Sequence, residues 1–387
     1  MDFTEDDDLR EIRRAVAELA TRFDRDYWAR HDREHTFPWE FYKAFADAGW
    51  MGITVPEEYG GGGLGIAAAG VVVETLASSG GAMNACTPLH LNMFGMNVVA
   101  KHGSDEMRRQ TLSRVATGDL HACFGVTEPD AGTDTSRIST TARRDGDHYV
   151  VNGRKVWISK AGESEVIVLA TRTAPRRDDA PMKGLSILLV DLDTPGISMQ
   201  PIPKMGRNAV TSYEVSFDDV RVPVSRLVGV EHDGFRVLLD GLNPERILIA
   251  HEALGIGRAS VAAAVRYANE RTVFGRPIGQ NQGIAFPLAE ANARLDAAEL
   301  VCRKAAWLYD NGQPCAREAN TAKYLAADAG FFAADRAMQT FGGMGYAEEY
   351  GISRHFREAR LMKIAPVSQE LALAYIAQNV LGLPKSY

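Results

Sequence analysis

The sequence predicts an α+β fold in three consecutive parts: an N-terminal helical domain over 1–120, a middle antiparallel β domain over 121–228 and a C-terminal helical bundle over 229–387. Three observations carry this expectation. Leu9, Ile12, Val16, Leu19 and Phe23 recur at spacings of three and four, the stripe of an amphipathic helix. Between 121 and 228, short β-rich runs alternate with Gly, Pro and Asp, which is the punctuation of strands and turns. Beyond Gly234 the helical period returns, with Ile247, Leu254, Val261, Val265 and Ala268 on one face.

Taken in order, the first helices are interrupted at 56–65 by PEEYGGGGLG, which holds a formal G-x-G-x-x-G at Gly60, Gly62 and Gly65. Pro56, Glu57 and Glu58 stand where a strand would have to end, and no βαβ alternation follows. A loop between helices is expected there, not a nicotinamide site. In the middle part, 148–158 holds two β-rich runs around Asn152-Gly153, and this pair predicts a hairpin turn. Further strands are expected at 166–170, 185–190 and 213–217, with 173–184 an exposed hairpin loop and sandwich or barrel left open. Helices near 284–310, 315–341 and 367–381 complete a bundle of about four.

The 387 residues suffice for two or three domains, and 45% hydrophobic with 24% charged residues is an ordinary soluble composition. The net charge of −7 weighs against nucleic acid and anionic membrane surfaces as partners. No run in the sequence reads as the ~20 apolar residues of a membrane span. The acidic, then amphipathic, N-terminus reads as neither secretory signal nor transit peptide. Cys86, Cys123, Cys302 and Cys315 lack CxxC spacing, so reduced thiols and a cytoplasmic location are expected. His31 and His35 lie one helical turn apart among charged neighbours; they read as a solvated face, and no metal site is expected.

The most informative run is CFGVTEPDAGTD at 123–134. It ends an apolar segment in turn-forming Pro, Asp and Gly between hydroxyls and carboxylates. Such a loop offers backbone N–H and hydroxyl donors with little bulk, which suits a planar polar ring carrying a phosphate tail. Three companions follow: VNGRKVWIS at 151–159, ERTVFGRPIGQNQ at 270–282 and QTFGGMGY at 339–346. In this order and spacing, over nearly the whole chain, they resemble the acyl-CoA dehydrogenase family of flavoproteins.

The resemblance implies FAD bound between the middle domain and the C-terminal helices, completed by a neighbouring subunit of a homotetramer. Phe124, Val126, Thr127, Gly132 and Thr133 match the first flavin segment, and Trp157, Ile158 and Ser159 the second. Arg271, Phe274, Asn281 and Gln282 match a segment donated across the dimer interface to the pyrophosphate and adenosine half. Gln339 and Gly343 match the glycine stretch near the same dinucleotide, and Ser368 and Glu370 fall at further flavin positions in a divergent tail. Physically, Arg271 suits a diphosphate, and Trp157 offers a broad apolar face with one donor.

The reaction implied is α,β-dehydrogenation of an acyl-CoA thioester, with hydride transfer to flavin N5 and electrons passed to an electron-transferring flavoprotein. It requires a carboxylate base and donors to the thioester oxygen. Many relatives place the base late in the chain, where this sequence has Pro366, a residue with neither a carboxylate nor an N–H. Either the matching position is shifted by a residue, or a neighbouring amide serves the oxygen, or the flavin's own hydroxyl does so largely alone. Isovaleryl-type and long-chain-type members carry the base on the helix opening the C-terminal domain, and there Glu245 matches it. Asn243, Arg246 and Thr133 match substrate-side positions. Pro244 suggests a helix's first turn, with its dipole keeping Glu245 ionised, while burial beside an acyl chain would raise its pKa. Met93, Phe94, Met96 and Leu242 are candidate acyl-pocket residues. Alternatives on the same fold are a flavin oxidase or monooxygenase, or a non-catalytic scaffold.

Overall fold

The computed structural model describes residues 5–385. Seven helices form the N-terminal part: α1 (Asp7–Ala20), α2 (Arg25–Glu34), α3 (Trp39–Asp47), α4 (Ile66–Leu76), α5 (Met83–Gly95), α6 (Asn97–His102) and α7 (Asp105–Ala116). Helices α1, α2 and α7 open on the side-chain caps Asp6, Asp24 and Ser104, each satisfying a backbone donor the helix leaves free. The glycine-rich segment is a loop leading into α4. The first N–H groups of α4, those of Ile66 and Ala67, go to the Asp310 carboxylate at 2.7 and 2.9 Å. Asp310 belongs to the far end of the chain, so this loop clamps the two helical parts together.

The middle part is β1 (Ala122–Gly125), β2 (Thr141–Asp145), β3 (His148–Ser159), β4 (Val166–Arg172), β5 (Leu185–Asp191), β6 (Ile197–Pro201), β7 (Ser212–Pro223) and β8 (Leu227–Val228). They form one sheet in the order β6-β7-β3-β2-β4-β5-β8, with β1 on β4. The sheet is mixed, not purely antiparallel, because β1 and the start of β2 both run parallel to β4. Alternate residues of β4 and β5 face opposite ways. Val168 and Leu189 meet α6, α7 and the start of the next long helix. Ile167 and Leu188 pack against Val151, Val215 and Phe217 of β3 and β7.

The expected hairpin at Asn152-Gly153 is absent; β3 runs straight through it. The turn lies earlier, at Asp145-Gly146-Asp147, where Gly146 has φ +63° and β2 pairs back along β3. Asn152-Gly153 is instead a bulge against β7, with Gly153 at φ +148°. The Asn152 amide exchanges hydrogen bonds with Asp219 there, at 2.9 and 3.0 Å. A pairing partner on each side overrode the local turn signal. The strands expected near 166, 185 and 213 are present as β4, β5 and β7, and 173–184 joins the antiparallel β4–β5 pair.

The C-terminal part contains α8 (Gly234–Glu270), a small hairpin of β9 (Thr272–Val273) and β10 (Arg276–Pro277), α9 (Gln282–Asp310), α10 (Ala316–Phe341), α11 (Gly343–Tyr346), α12 (Ile352–Met362) and α13 (Gln369–Tyr375). Helix α8 is the spine, packed against α10, α9, α4 and α5. It is long and apolar enough to cross a membrane by composition, which the sequence reading did not register. Most of that apolar stretch is buried inside the protein, so its hydrophobicity is explained by packing. Pro244 lies in the interior of α8, ten residues past its first residue Gly234, and not in a first turn.

Candidate active site

The first two motif segments come together where the end of β1 meets β3, within the sheet and not at its edge. Val156 N–H donates to Thr127 O at 2.9 Å, and Lys155 Nζ reaches Val126 O at 3.0 Å and Glu128 Oε1 at 2.8 Å. Glu128 also accepts from the Ser139 and Thr140 N–H groups at 2.7 and 2.9 Å. Burial alone would raise the Glu128 carboxyl, but Lys155 and these donors override it and hold it at about 2. The donor-rich loop after β1 is therefore fastened from below by a buried ion pair. Sequence reasoning passed over Glu128 and Lys155, although both stand inside the quoted motifs.

That anchoring leaves the upper surface open. The register of β3 shifts between Lys155 and Ile158, and Trp157 is thrown outward at φ +63° with 56% of its surface exposed. A bulky residue in that conformation is strained, and a large apolar face left in solvent needs a partner. Phe124, Val126 and Thr127 are half-buried beside it, while Gly132 and Thr133 are exposed. A side chain added at Gly132 would meet nothing within 4 Å, so a ligand has room there. These residues fit a planar cofactor. Ile158 packs in the sheet core at 2% exposure, which leaves only its backbone to face one. Ser159 Oγ accepts from Arg207 Nη2 at 2.6 Å.

Glu245 sits in the middle of α8, 7% exposed. Burial pushes its carboxyl up to about 7; His90 and Arg246 pull it down, and Glu252 pushes it up further. It accepts no hydrogen bond among the described residues. The expectation that a helix N-terminus keeps Glu245 ionised is thus overturned: mid-helix backbone donors are already used, and desolvation dominates. The expected rise toward neutrality is present without any ligand. Arg246 Nη1 donates to Asn243 Oδ1 at 3.1 Å, and its Nε is buried without a partner. Asn243, Glu245 and Arg246 thus share one turn.

Across from this turn, α10 contributes Lys323, fully buried with no partner for Nζ among the described residues. Burial lowers its pKa to about 8; Glu370 opposes that, while Arg246 and Lys363 add to it. The Lys323 ammonium thus feels the charges of both Glu370 and Arg246 while bonding to neither. Ser368 is the N-cap of α13, accepting from Leu371 N at 3.2 Å. Pro366 lies in the turn between α12 and α13. Met93 and Phe94 are buried on α5, with Phe94 edge-on to Phe124 at 5.0 Å. Met96 is buried on the middle-domain side, and Leu242 is half-buried.

The other two segments lie elsewhere. Tyr267 stacks on Phe341 at 4.2 Å, so the end of α8 and the end of α10 bring 271–282 and 339–343 into one neighbourhood. Arg271 caps α8, Phe274 is wholly exposed on the β9–β10 hairpin, and Gln282, Gln339 and Gly343 are exposed. Asn281 precedes α9 and accepts from Arg276 Nη2 at 2.9 Å. From Glu245 to Arg271 runs roughly 39 Å of helix at about 1.5 Å per residue, too far for one dinucleotide to touch both ends. Among the described residues no group of three or more His, Cys, Asp or Glu gathers as a metal site requires.

An open platform of bulged strand and turn, together with a buried carboxylate on α8, fits a flavoprotein oxidoreductase. Family models for the acyl-CoA dehydrogenase N-terminal, middle and C-terminal domains match residues 6–119, 123–220 and 232–381. The chain is 38% identical over its full length to acyl-CoA dehydrogenase FadE12 of Mycobacterium tuberculosis (strain ATCC 25618 / H37Rv), covering 99% of that protein. It superposes on glutaryl-coenzyme A dehydrogenase in its glutaryl-CoA complex with a TM-score of 0.94, at 31% identity, covering 100% of this chain and 98% of that one. A structure of PigA with FAD and proline gives 0.94 at 25% identity, covering 99% and 100%. This chain belongs to the acyl-CoA dehydrogenase family, and is an FAD-dependent oxidoreductase.

Proposed function

We propose that the chain oxidises an acyl-CoA thioester to its trans-2-enoyl-CoA, with Glu245 removing the α proton. When bound, FAD supplies the acceptor for the hydride that leaves the β carbon. The observation that carries this reading is the Glu245 carboxylate: buried on α8, without a hydrogen bond among the described residues, and pushed up to about 7 by that burial. A base must be both available and matched to the working pH, and carboxylates reach that value by desolvation. Arg246 supports the ionised form electrostatically, and Asn243 fixes its guanidinium. Val126, Thr127, Trp157, Ser159 and the Ile158 backbone would hold the ring system.

The distance along α8 from Glu245 to Arg271 supports a homo-oligomer in which Arg271, Phe274, Asn281, Gln282, Gln339 and Gly343 serve a neighbour's cofactor. Exposed Phe274, Phe286 and Tyr346 near that end are apolar surface that such an interface would cover. A homotetramer, an electron-transferring flavoprotein as acceptor, a cytoplasmic setting and a role in fatty or branched acyl metabolism belong to the same proposal. The test is anaerobic mixing of the FAD-loaded protein with acyl-CoAs of graded length and branching. Bleaching of the flavin by at least one member is expected, and no bleaching across the panel would contradict the reading. Rapid oxygen consumption without an added acceptor would favour the oxidase or monooxygenase alternative. A protein that takes up no FAD would point to a scaffold.

A further inference from the structure

The polar surroundings of Glu245 extend past its own turn. Glu252 lies two turns further along the same face of α8, roughly 10 Å away, and is fully buried. Its Oε1 is 3.0 Å from His90 Nδ1 on α5, and its Oε2 is buried with no partner among the described residues. His90 is 5% exposed. Burial would lower its pKa, but Glu252 and then Glu245 outweigh that, so the ring holds its proton more firmly than a free histidine. With Nδ1–H given to Glu252, the opposite ring nitrogen, Nε2, points away from Glu252 and makes no hydrogen bond among the described residues. His90 also packs on Phe94 at 5.4 Å, and Phe94 on Phe124 of the first flavin segment at 5.0 Å. Through Phe94 the ring is linked to the first flavin segment, while Glu252 holds it about two helical turns along α8 from Glu245.

A cleft for a plain hydrocarbon chain gains nothing from this pair, since apolar residues of similar volume would be as stable or more so. Half-satisfied buried polar groups are costly unless a ligand completes them. We propose that His90, oriented by Glu252, forms the polar end of the acyl pocket and selects acyl groups bearing an uncharged oxygen substituent, such as a hydroxyl, remote from the thioester. Glu245 and Glu252 face His90, and Arg207 is shared between Glu252 and Glu358, so a further carboxylate is not favoured and an ammonium has no lone pair for Nε2–H, whereas a hydroxyl oxygen accepts from it. The orientation of the chain, thioester toward Glu245, rests on the dehydrogenase reading above.

Binding and reduction are therefore measured separately. The FAD-loaded protein is titrated anaerobically, by calorimetry, with acyl-CoAs of matched length that are unsubstituted, ω-hydroxylated or ω-carboxylated, and bleaching rates are recorded in parallel. At one or more chain lengths the hydroxylated ligand is expected to bind roughly 10- to 100-fold more tightly than its plain counterpart, as one hydrogen bond to a charged donor would give. The preference should appear in KM and dissociation constant more than in kcat. In the double variant His90→Leu/Glu252→Leu, which removes one buried positive and one buried negative group together, the ratio should fall to one or below. Glu252→Gln should lie between, and FAD content with melting temperature confirms that each variant folds. Equal binding at every length, preference for the carboxylated ligand, or a ratio that survives the double variant would overturn the proposal. If no ligand bleaches the flavin, the dehydrogenation reading falls, while the binding ratios still decide this one.

Discussion

Two buried glutamates in this molecule behave in opposite ways. Glu128 is held at about 2, with Lys155 and the backbone donors of Ser139 and Thr140 around it. Glu245 is also buried, has no hydrogen bond among the described residues, and is pushed up to about 7 by desolvation. Desolvation pushes both upward; partners decide the outcome. The partnered one fastens a loop, and the unpartnered one is available to take a proton. The same contrast separates two parts of the candidate site: a loop of the middle domain fastened by an ion pair, and the carboxylate on α8 proposed as the base.

That contrast can be broken by substitution. The largest effect is expected from Glu245→Gln, which should slow flavin reduction by acyl-CoA by roughly 10²–10⁴-fold while FAD stays bound, as stopped-flow absorbance would read. Its stability should move the other way. A carboxyl raised in the folded state opposes folding as pH climbs above its unfolded value, so the variant should be more stable than the parent above pH 7, on the order of 1–3 kcal/mol. Lys155→Met should do the reverse. It leaves Glu128 buried and unpaired, costing about 3–5 kcal/mol in urea unfolding and weakening FAD retention. For the intact pair, the stability from Glu128 should be full above its unfolded carboxyl value and fade only as pH falls toward about 2. The smallest effect belongs to Ser368→Ala, which removes the α13 cap and should cost about 1 kcal/mol.

Much of this was legible in the sequence because it depends on local pattern. The helical period before 120 and after 234, the strands near 166, 185 and 213, and the loop at 56–65 all follow from spacing and turn chemistry. Asn152-Gly153 misled because strand β7, sixty residues on, gave that pair a partner and turned a hairpin signal into a bulge. Pro244 misled because a proline was taken to mark a helix start, whereas α8 carries it internally. Glu245 could be singled out only through the family resemblance. Its raised pKa came from packing that no local pattern records. His90 and Glu252 were invisible for the same reason: they are 162 residues apart, and neither stands in a motif.

The most direct test of the central claim is the rate of anaerobic flavin reduction as a function of pH, measured on the parent protein with a saturating acyl-CoA. A carboxylate base at about 7 predicts a rate rising about tenfold per pH unit below that value and levelling above it, with the rise abolished in Glu245→Gln. A profile flat from acid to alkaline pH, or a variant that keeps both the rate and the profile, would show that Glu245 is not the group that takes the proton.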